Sequence, residues 1–150
     1  MNTASAPLGK EGEVIFRTSE QGGLEVKISN VCVDGMKKGL HGFHVHESGD
    51  MRNGCSSMGA HYDPHNAERH GGPGDPHRHM GDLGNVASDE NGCINTTFHA
   101  PGLTIEEICG RGIVLHELQD DLGQAGTHES RTTGTAGDRI SCGTIYCSNA

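Results

Sequence analysis

The chain has 150 residues, enough for one compact domain over positions 1–150 with its own core. Its 11 Lys and Arg against 20 Asp and Glu give a net charge of −9, which argues against nucleic acid or an anionic membrane as a partner. A small anionic substrate is still allowed, because a cleft can focus a local positive field. The start, MNTASAPLGK, lacks the apolar core of a signal peptide, so the expected location is cytoplasmic.

The predicted elements are short strands separated by turns and loops, and helical periodicity is absent. A break in the period of two near Val31 indicates a bulge in the strand expected over 24–33. Asn91-Gly92 is a strong turn signal, so the segments on either side of it read as a hairpin. Two long loops, 48–81 and 120–137, are of the kind that is usually functional. The strands are expected over 13–18, 24–33, 41–47, 85–88, 93–99, 112–116 and 139–147. This pattern predicts an all-β sandwich or barrel.

Histidines alternate with apolar residues in the strand over 41–47, which reads GFHVH. Because side chains alternate between the two faces of a strand, Phe43 and Val45 share the core face, and His44 and His46 share the other. The segment GIVLH places His116 outward in the same way. A metal bound by these imidazoles would therefore lie outside the sheet, where the two long loops could cover it. The alternative is a strand with outward polar residues and no metal.

The first long loop is dense in histidine, which could be plain compositional bias. Its spacing, however, reads GCSSMGAHYDPHNAERHGGPGDPHRHMGDLGNV over 54–86. Together with GFHVHE before it, and with HELQDDLG and AGDRISCG after it, this run resembles the copper/zinc superoxide dismutase family. The resemblance covers nearly the whole chain from about Gly9 onward, with several separate motifs in the right order. It implies an eight-stranded Greek-key β-barrel or sandwich, immunoglobulin-like, with two long functional loops.

The resemblance also implies a two-metal site. The copper ligands would be His44, His46, His61 and His116. The zinc ligands would be His61, which bridges the two ions, and His70, His79 and Asp82. Three imidazoles and one carboxylate suit a closed tetrahedral zinc site, and four imidazoles suit Cu(II). The carboxylate of Asp120 would hydrogen-bond both His44 and His70, which orients the two rings.

The implied reaction converts superoxide to oxygen and hydrogen peroxide by redox cycling of copper, while zinc shapes the site. His61 would carry a proton, and Arg139 would position the anion near copper. The alternative is a non-enzymatic, copper-binding relative that acts as a chaperone, but the M-x-C-x-x-C motif and C-x-C tail of that class are absent from the sequence. A third interpretation is metal storage in the histidine-rich loop. It requires neither Arg139 nor Asp120.

The remaining histidines and the cysteines lead to separate expectations. His65 and His77 match no ligand position and are expected to be solvated, and His41 is expected to make a structural hydrogen bond. The resemblance implies a disulfide between Cys55 and Cys142. The other four cysteines are expected to be buried thiols, although a second bridge is conceivable between Cys32 and Cys93.

The sequence departs from the family pattern at positions that bear on attraction of the substrate and on assembly. Leu118 and Thr132 stand where the resemblance implies lysines that attract superoxide, and the hypothesis is that Arg131 partly replaces that charge. The resemblance also implies a homodimer and a possible copper chaperone as partners. The positions implied for the dimer contact are partly unlike its apolar norm, so a monomer is the alternative; they hold Ser48, Ile108, Cys109, Tyr146 and Cys147.

Overall fold

The computed structural model describes residues 3–67 and 69–148, which form two antiparallel β-sheets. The strands of this part of the chain are β1 Thr3–Leu8, β2 Gly12–Thr18, β3 Leu24–Cys32, β4 Gly39–His46, β5 Arg52–Cys55, β6 Asp82–Ser88, β7 Cys93–Ala100, β8 Gly112–His116, β9 Arg139–Thr144 and β10 Tyr146–Ser148. Two short helices, α1 Ile105–Ile108 and α2 His128–Thr133, and a 3₁₀ turn over Ser56–Met58 lie in the connections. Neither α1 nor α2 has the length or apolar composition needed to traverse a lipid bilayer.

The core lies between the two sheets. One sheet has the strand order β10-β1-β2-β3-β7, and the other has the order β6-β4-β8-β9. Alternate residues such as Phe16, Phe43 and Leu115 are fully buried, as the period of two requires for strands with one face on the core. The predicted all-β class and the predicted bulge are both confirmed. The register shifts between Ile28 and Val31, and Asn30 there adopts a φ of 53°, which asparagine tolerates better than most residues.

The hairpin predicted around Asn91-Gly92 is wrong, because its two strands belong to different sheets. β6 pairs with β4, while β7 pairs with β3. The turn itself forms as expected: the Asp89 amide donates to the Cys93 carbonyl at 2.8 Å, and Gly92 takes a φ of 71°. A local turn signal specifies that the chain reverses, but not whether the flanking strands pair or face each other across a core. Here Val86 and Ile94 are both buried, so the turn leads from one layer to the other.

The described residues contain ten strands where eight were expected. β5 lies inside the first predicted loop, and the last predicted strand divides at Ile145 into β9 and β10, which belong to different sheets. The Ile145 amide donates to the Arg111 carbonyl at 2.9 Å instead of continuing either ladder. The two helices went unpredicted because four and six residues are too few to show a helical period.

All six cysteines are paired, so the prediction of four buried thiols is wrong. One bridge joins Cys55 to Cys142 and ties β5 to β9. Another joins Cys32 to Cys93, which are register partners at the ends of β3 and β7. The third joins Cys109 to Cys147, 38 residues apart, and the sequence carried no signal for it. Such pairings depend on which chain segments meet, and cysteine spacing alone does not report that.

Candidate metal centre

Three imidazoles of the centre come from neighbouring strands. His44 and His46 lie on β4 and His116 on β8, and these two strands pair directly. Their side chains leave the sheet on the face opposite Phe43 and Val45, as the alternation predicts. Nevertheless all three are buried, at 0%, 0% and 5% exposure, because loops cover that face.

The covering loops supply the other candidate ligands. His61 follows β5 and forms an isolated bridge with His46, which brings the loop against the sheet. His70 and His79 lie further along this loop, and Asp82 begins β6. The second loop packs over the first, since the His70 amide donates to the Arg131 carbonyl at 2.7 Å.

Four buried nitrogens in this region have no hydrogen-bond partner among the described residues: His44 Nδ1, His46 Nε2, His70 Nδ1 and His116 Nε2. The other ring nitrogen of each is occupied. His46 Nδ1 donates to the Gly59 carbonyl at 2.9 Å, and His116 Nδ1 donates to the Gly137 carbonyl at 3.1 Å. An unpaired buried polar atom is costly, so the free nitrogens are positioned to bind ligands such as metal ions. Donor atoms within 4.8 Å of one another form the group His44, His46, His61 and His116.

A second group of donors meets at Asp82. Its Oδ2 accepts from the amides of Gly71 at 3.0 Å and His79 at 3.1 Å. Its Oδ1 instead faces Nδ1 of His61, His70 and His79, at 2.9, 3.0 and 3.4 Å. Four ligand atoms at ~2.0–2.1 Å around a tetrahedral zinc lie about 3.3 Å apart, so these spacings fit such an ion. Ligand atoms of His44, His61, His70 and Asp82 all lie within 4.8 Å of one another. His44 can offer only Nδ1 to a metal, because its Nε2 is already bonded elsewhere.

The partner of His44 Nε2 is the carboxylate of Asp120, which connects the two groups of donors. His44 Nε2 donates to Asp120 Oδ2 at 2.6 Å, and His70 Nε2 donates to Oδ1 at 2.7 Å. Asp120 is 1% exposed. Both rings are thereby held with their Nδ1 atoms turned towards the two groups of donors.

Burial and neighbouring charges shift the pKa values of these histidines in opposite directions. Burial lowers the pKa of His116 to about 4, and it also lowers the pKa values of His44, His46 and His61. These imidazoles are therefore neutral at pH 7 and can act as metal ligands. Burial opposes protonation of His70 as well, but the neighbouring carboxylates of Asp120 and Asp82 outweigh it and raise the pKa of His70 to about 9.

A cleft of about 920 Å³ opens the centre to solvent and reaches His61 and His116. Arg139, the register partner of His116, also lines it. The guanidinium donates from Nη1 to the Cys55 carbonyl at 2.8 Å and from Nη2 to the Gly59 carbonyl at 2.7 Å. The Cys55–Cys142 bridge therefore helps to place a cation beside the first group of ligands. Burial lowers the pKa of Arg139, although an arginine keeps its charge at neutral pH.

Comparison with known proteins agrees with this arrangement. The family model for copper/zinc superoxide dismutase matches residues 10–145. A Drosophila melanogaster protein named extracellular superoxide dismutase [Cu-Zn] is 47% identical over 138 residues, covering 90% of this chain and 75% of the relative. The Dictyostelium discoideum superoxide dismutase [Cu-Zn] 5 is 46% identical over 143 residues, covering 93% and 92%. The chain belongs to the copper/zinc superoxide dismutase family.

Further comparisons support the assignment. A Caenorhabditis elegans protein named extracellular superoxide dismutase [Cu-Zn] is 46% identical over 129 residues, covering 84% of this chain and 58% of the relative. A crystal structure of the clock protein EA4 superposes with a TM-score of 0.89 at 38% identity, covering 97% and 94%. Membership in the copper/zinc superoxide dismutase family makes the chain an oxidoreductase that takes superoxide as its substrate and uses copper and zinc as cofactors.

The predicted cytoplasmic location is wrong. Two of these dismutase relatives are named extracellular, and all six cysteines of this chain are bridged, as is typical of an oxidising compartment. The prediction failed because it rested on the first residues of the sequence as given, which do not report where the folded domain works.

The other histidines lie where the sequence predicts. His65 and His77 are exposed. His41 is buried and structural: its Nδ1 lies 2.9 Å from the Glu117 carbonyl and its Nε2 lies 2.8 Å from the Lys37 carbonyl. It therefore supports the backbone next to His116, and it belongs to neither group of donors.

Sequence reasoning missed several residues that support the dismutase site. The Asn85 side chain clamps the backbone of Asp120, accepting from its amide at 2.7 Å and donating to its carbonyl at 2.9 Å. Gly134 has a φ of 77°, and a side chain there would collide with Asp120 and His70. The glycine-rich composition of the second loop was the only available signal. It does not say which glycine is required.

Zinc binding to the metal-free protein should release protons at pH 7. A zinc ion held by His70 would require its Nδ1 to be unprotonated, whereas the raised pKa of about 9 keeps His70 protonated at pH 7. The proton on His70 stabilises the metal-free fold below its unfolded pKa of ~6.5, and this contribution is lost as pH rises towards 9. Calorimetry in buffers of different ionisation enthalpy should therefore show about one more proton released at pH 7 than near pH 10. Equal release at both pH values would contradict the prediction.

Proposed function

We propose that His44, His46, His61 and His116 hold copper, and that His61, His70, His79 and Asp82 hold zinc. The observation that carries this assignment is the set of buried nitrogens without a partner. Three of them belong to the first set and one to the second. His61 belongs to both sets, with Nδ1 towards Asp82 at 2.9 Å, which leaves Nε2 for copper. Imidazole is a suitable ligand for both ions.

The proposed mechanism uses two superoxide ions and two protons to give one oxygen and one hydrogen peroxide. Copper held by the first set would supply the electron transfer, and zinc held by the second set would supply a fixed positive charge. Arg139 would bind the anion beside His116 and neutralise its charge. Whenever His61 Nε2 is not a ligand, it would hold one of the two protons and give it to the departing peroxide, while solvent supplies the other through the cleft. Asp120 is a positioning residue, since it acts through His44 and His70.

Replacing His116 by alanine should abolish superoxide turnover. The change removes one of four copper ligands and leaves the zinc set intact, so we expect copper affinity and the rate to fall at least 100-fold while zinc still binds. The measurement is superoxide decay by pulse radiolysis, with one copper and one zinc per chain. His65→Ala is the matched control. His65 is exposed and belongs to neither proposed set of ligands, so its replacement should leave the decay unchanged.

A rate that survives His116→Ala would contradict the copper assignment. No acceleration of decay by the wild-type protein with both metals bound would contradict the mechanism itself.

We propose that the protein works outside the cell. The three disulfides and the two relatives named extracellular support this location. Immunodetection of the protein in the culture medium rather than in the lysate of its source cells tests the proposal.

We propose that the protein is a homodimer. Its interface is the face where three segments meet: the loop after β4, the segment that precedes β8, and strand β10. The Thr144 hydroxyl donates to the Gly49 carbonyl at 2.7 Å and holds this loop against β9, next to β10. Tyr146 on β10 and Met51 in the loop after β4 are 63% and 45% exposed. Ile108 contributes less than the resemblance implied, since it is buried within its own chain. Sedimentation velocity should show a dimer that Tyr146→Lys converts to monomer and that Leu40→Lys, on another face, does not.

We further propose that a copper chaperone loads the site, because the four copper-side imidazoles are nearly inaccessible beneath the loops. Full copper occupancy within minutes, from free copper and metal-free protein, would exclude any need for such a partner.

A further inference from the structure

The charged side chains that line the cleft for the substrate are mostly acidic. Among its described lining residues, Glu47, Asp63, Glu129 and Asp138 carry carboxylates, while Arg139 is the one lysine or arginine. Superoxide is an anion, so it meets these carboxylates before it reaches the metals. The charge of the lining therefore affects how fast the substrate enters.

Helix α2 determines which of its charges face the cleft. Glu129, Thr132 and Thr133 line it, and these residues lie three and four positions apart, on one face of the helix. Arg131 is two positions from Glu129 and lies on another face, where its Nη1 donates to the Gly126 carbonyl at 3.3 Å. The hypothesis that Arg131 replaces a missing lysine in the cleft is therefore not supported. The helix presents a negative charge there instead.

Asp138, which precedes Arg139 in the chain, adds a second negative charge to the lining. Its backbone carbonyl accepts from the Glu117 amide at 2.8 Å. Within residues 3–67 and 69–148, neither Asp138 nor Glu129 has an ion-pair partner within 4 Å, whereas Asp34 and Asp50 elsewhere on the surface do. Neither carboxylate is therefore held in an ion pair that would cancel its charge towards an approaching anion.

The metal ions do not reverse this balance. Two divalent ions bring four positive charges, of which a bridging His61 imidazolate and the carboxylates of Asp82 and Asp120 cancel three. The remaining charge and that of Arg139 face four carboxylates in the lining. The whole chain adds a further negative background, with a net charge of −9.

We propose that Glu129 and Asp138 oppose the entry of superoxide, so that the loaded protein captures its substrate more slowly at low ionic strength than at high. A unit charge about 10 Å from an ion's path changes the local ion concentration about twofold in water. Salt shortens the reach of such a charge from ~30 Å at 0.01 M to ~8 Å at 0.15 M. The inference rests on the proposed function, but it concerns the cleft and not the identity of the ligands.

The test measures two quantities on metal-loaded protein between 0.01 and 0.15 M ionic strength. One is the second-order rate constant for superoxide, and the other is the affinity of azide for copper, read from the visible spectrum. We expect both to rise about two- to threefold with ionic strength in the wild type. In the double variant Glu129→Gln/Asp138→Asn, the rate constant and the azide affinity at low ionic strength should each be about fourfold higher than in the wild type. Both should also lose most of their dependence on salt.

The matched control is Glu13→Gln/Glu20→Gln, which changes the net charge equally at exposed positions outside the cleft. It should change either quantity less than 1.5-fold. A wild-type rate or azide affinity that falls with ionic strength would overturn the proposal, and so would a control that matches the cleft variant. If the loaded protein consumes no superoxide, the proposed function fails, and azide binding alone then decides the proposal about the cleft.

Discussion

Replacing Asp120 by alanine is expected to weaken zinc binding about 10- to 100-fold, the usual effect of removing a carboxylate that orients a metal ligand. It should also destabilise the metal-free protein by about 3–5 kcal/mol, because a buried charge pair loses one partner. The change removes the partner of His44 Nε2 and His70 Nε2 together, as well as the acceptor of the Leu122 amide at 2.7 Å. Chelator competition measures the affinity, and urea unfolding measures the stability.

The neighbouring Asp121 provides a matched control for this prediction. Its Oδ1 accepts from the Ser130 hydroxyl at 2.6 Å and from the Gly123 amide at 2.9 Å, with no imidazole among these partners. Asp121→Ala should cost about 1–3 kcal/mol of stability and leave zinc affinity within about twofold. If Asp120→Ala keeps its zinc affinity, or if both variants lose it equally, Asp120 does not orient the ligands.

Removing the Cys55–Cys142 bridge should reduce both stability and the rate of superoxide turnover. The bridge closes 87 residues, which corresponds to about 4–5 kcal/mol in the chain-entropy model. It also holds the segment whose Cys55 and Gly59 carbonyls accept from Arg139. With Arg139 free to move, we expect Cys55→Ser/Cys142→Ser to lower the second-order rate constant about 10- to 100-fold, measured per folded and metal-loaded chain.

The Cys32–Cys93 bridge offers a control of the same chemistry. It closes 61 residues, so its loss should cost about 4 kcal/mol, nearly as much as the first. It joins β3 to β7 in the sheet that carries none of the candidate ligands, so the rate of Cys32→Ser/Cys93→Ser should not change. Equal losses of rate in both variants would mean that stability, and not the placement of Arg139, accounts for the effect.

Tertiary contacts decided much of what supports the site. Asp120 lies 76 residues from His44 and 50 from His70, and no local pattern predicts that one carboxylate meets both rings. The pairing of Cys109 with Cys147 likewise depends on two segments that become neighbours only when the sheets assemble. The hypothesis that Arg131 supplies positive charge at the cleft lacks support for the same reason. Whether Glu129 or Arg131 faces the substrate depends on how a six-residue helix docks, and its sequence shows no period.

The sequence by itself determined the parts of this protein that depend on short-range geometry. The period of two along GFHVH and GIVLH already placed three histidines on the face away from the core, because the pleat of a strand allows no other arrangement. Ordered motifs along the chain were enough to indicate the family and its metals. Only the tertiary structure decided which loops cover the histidines, which sheet each strand joins and which cysteines pair. Those outcomes follow from packing two sheets around one core, and such long-range packing leaves no periodic trace in the sequence.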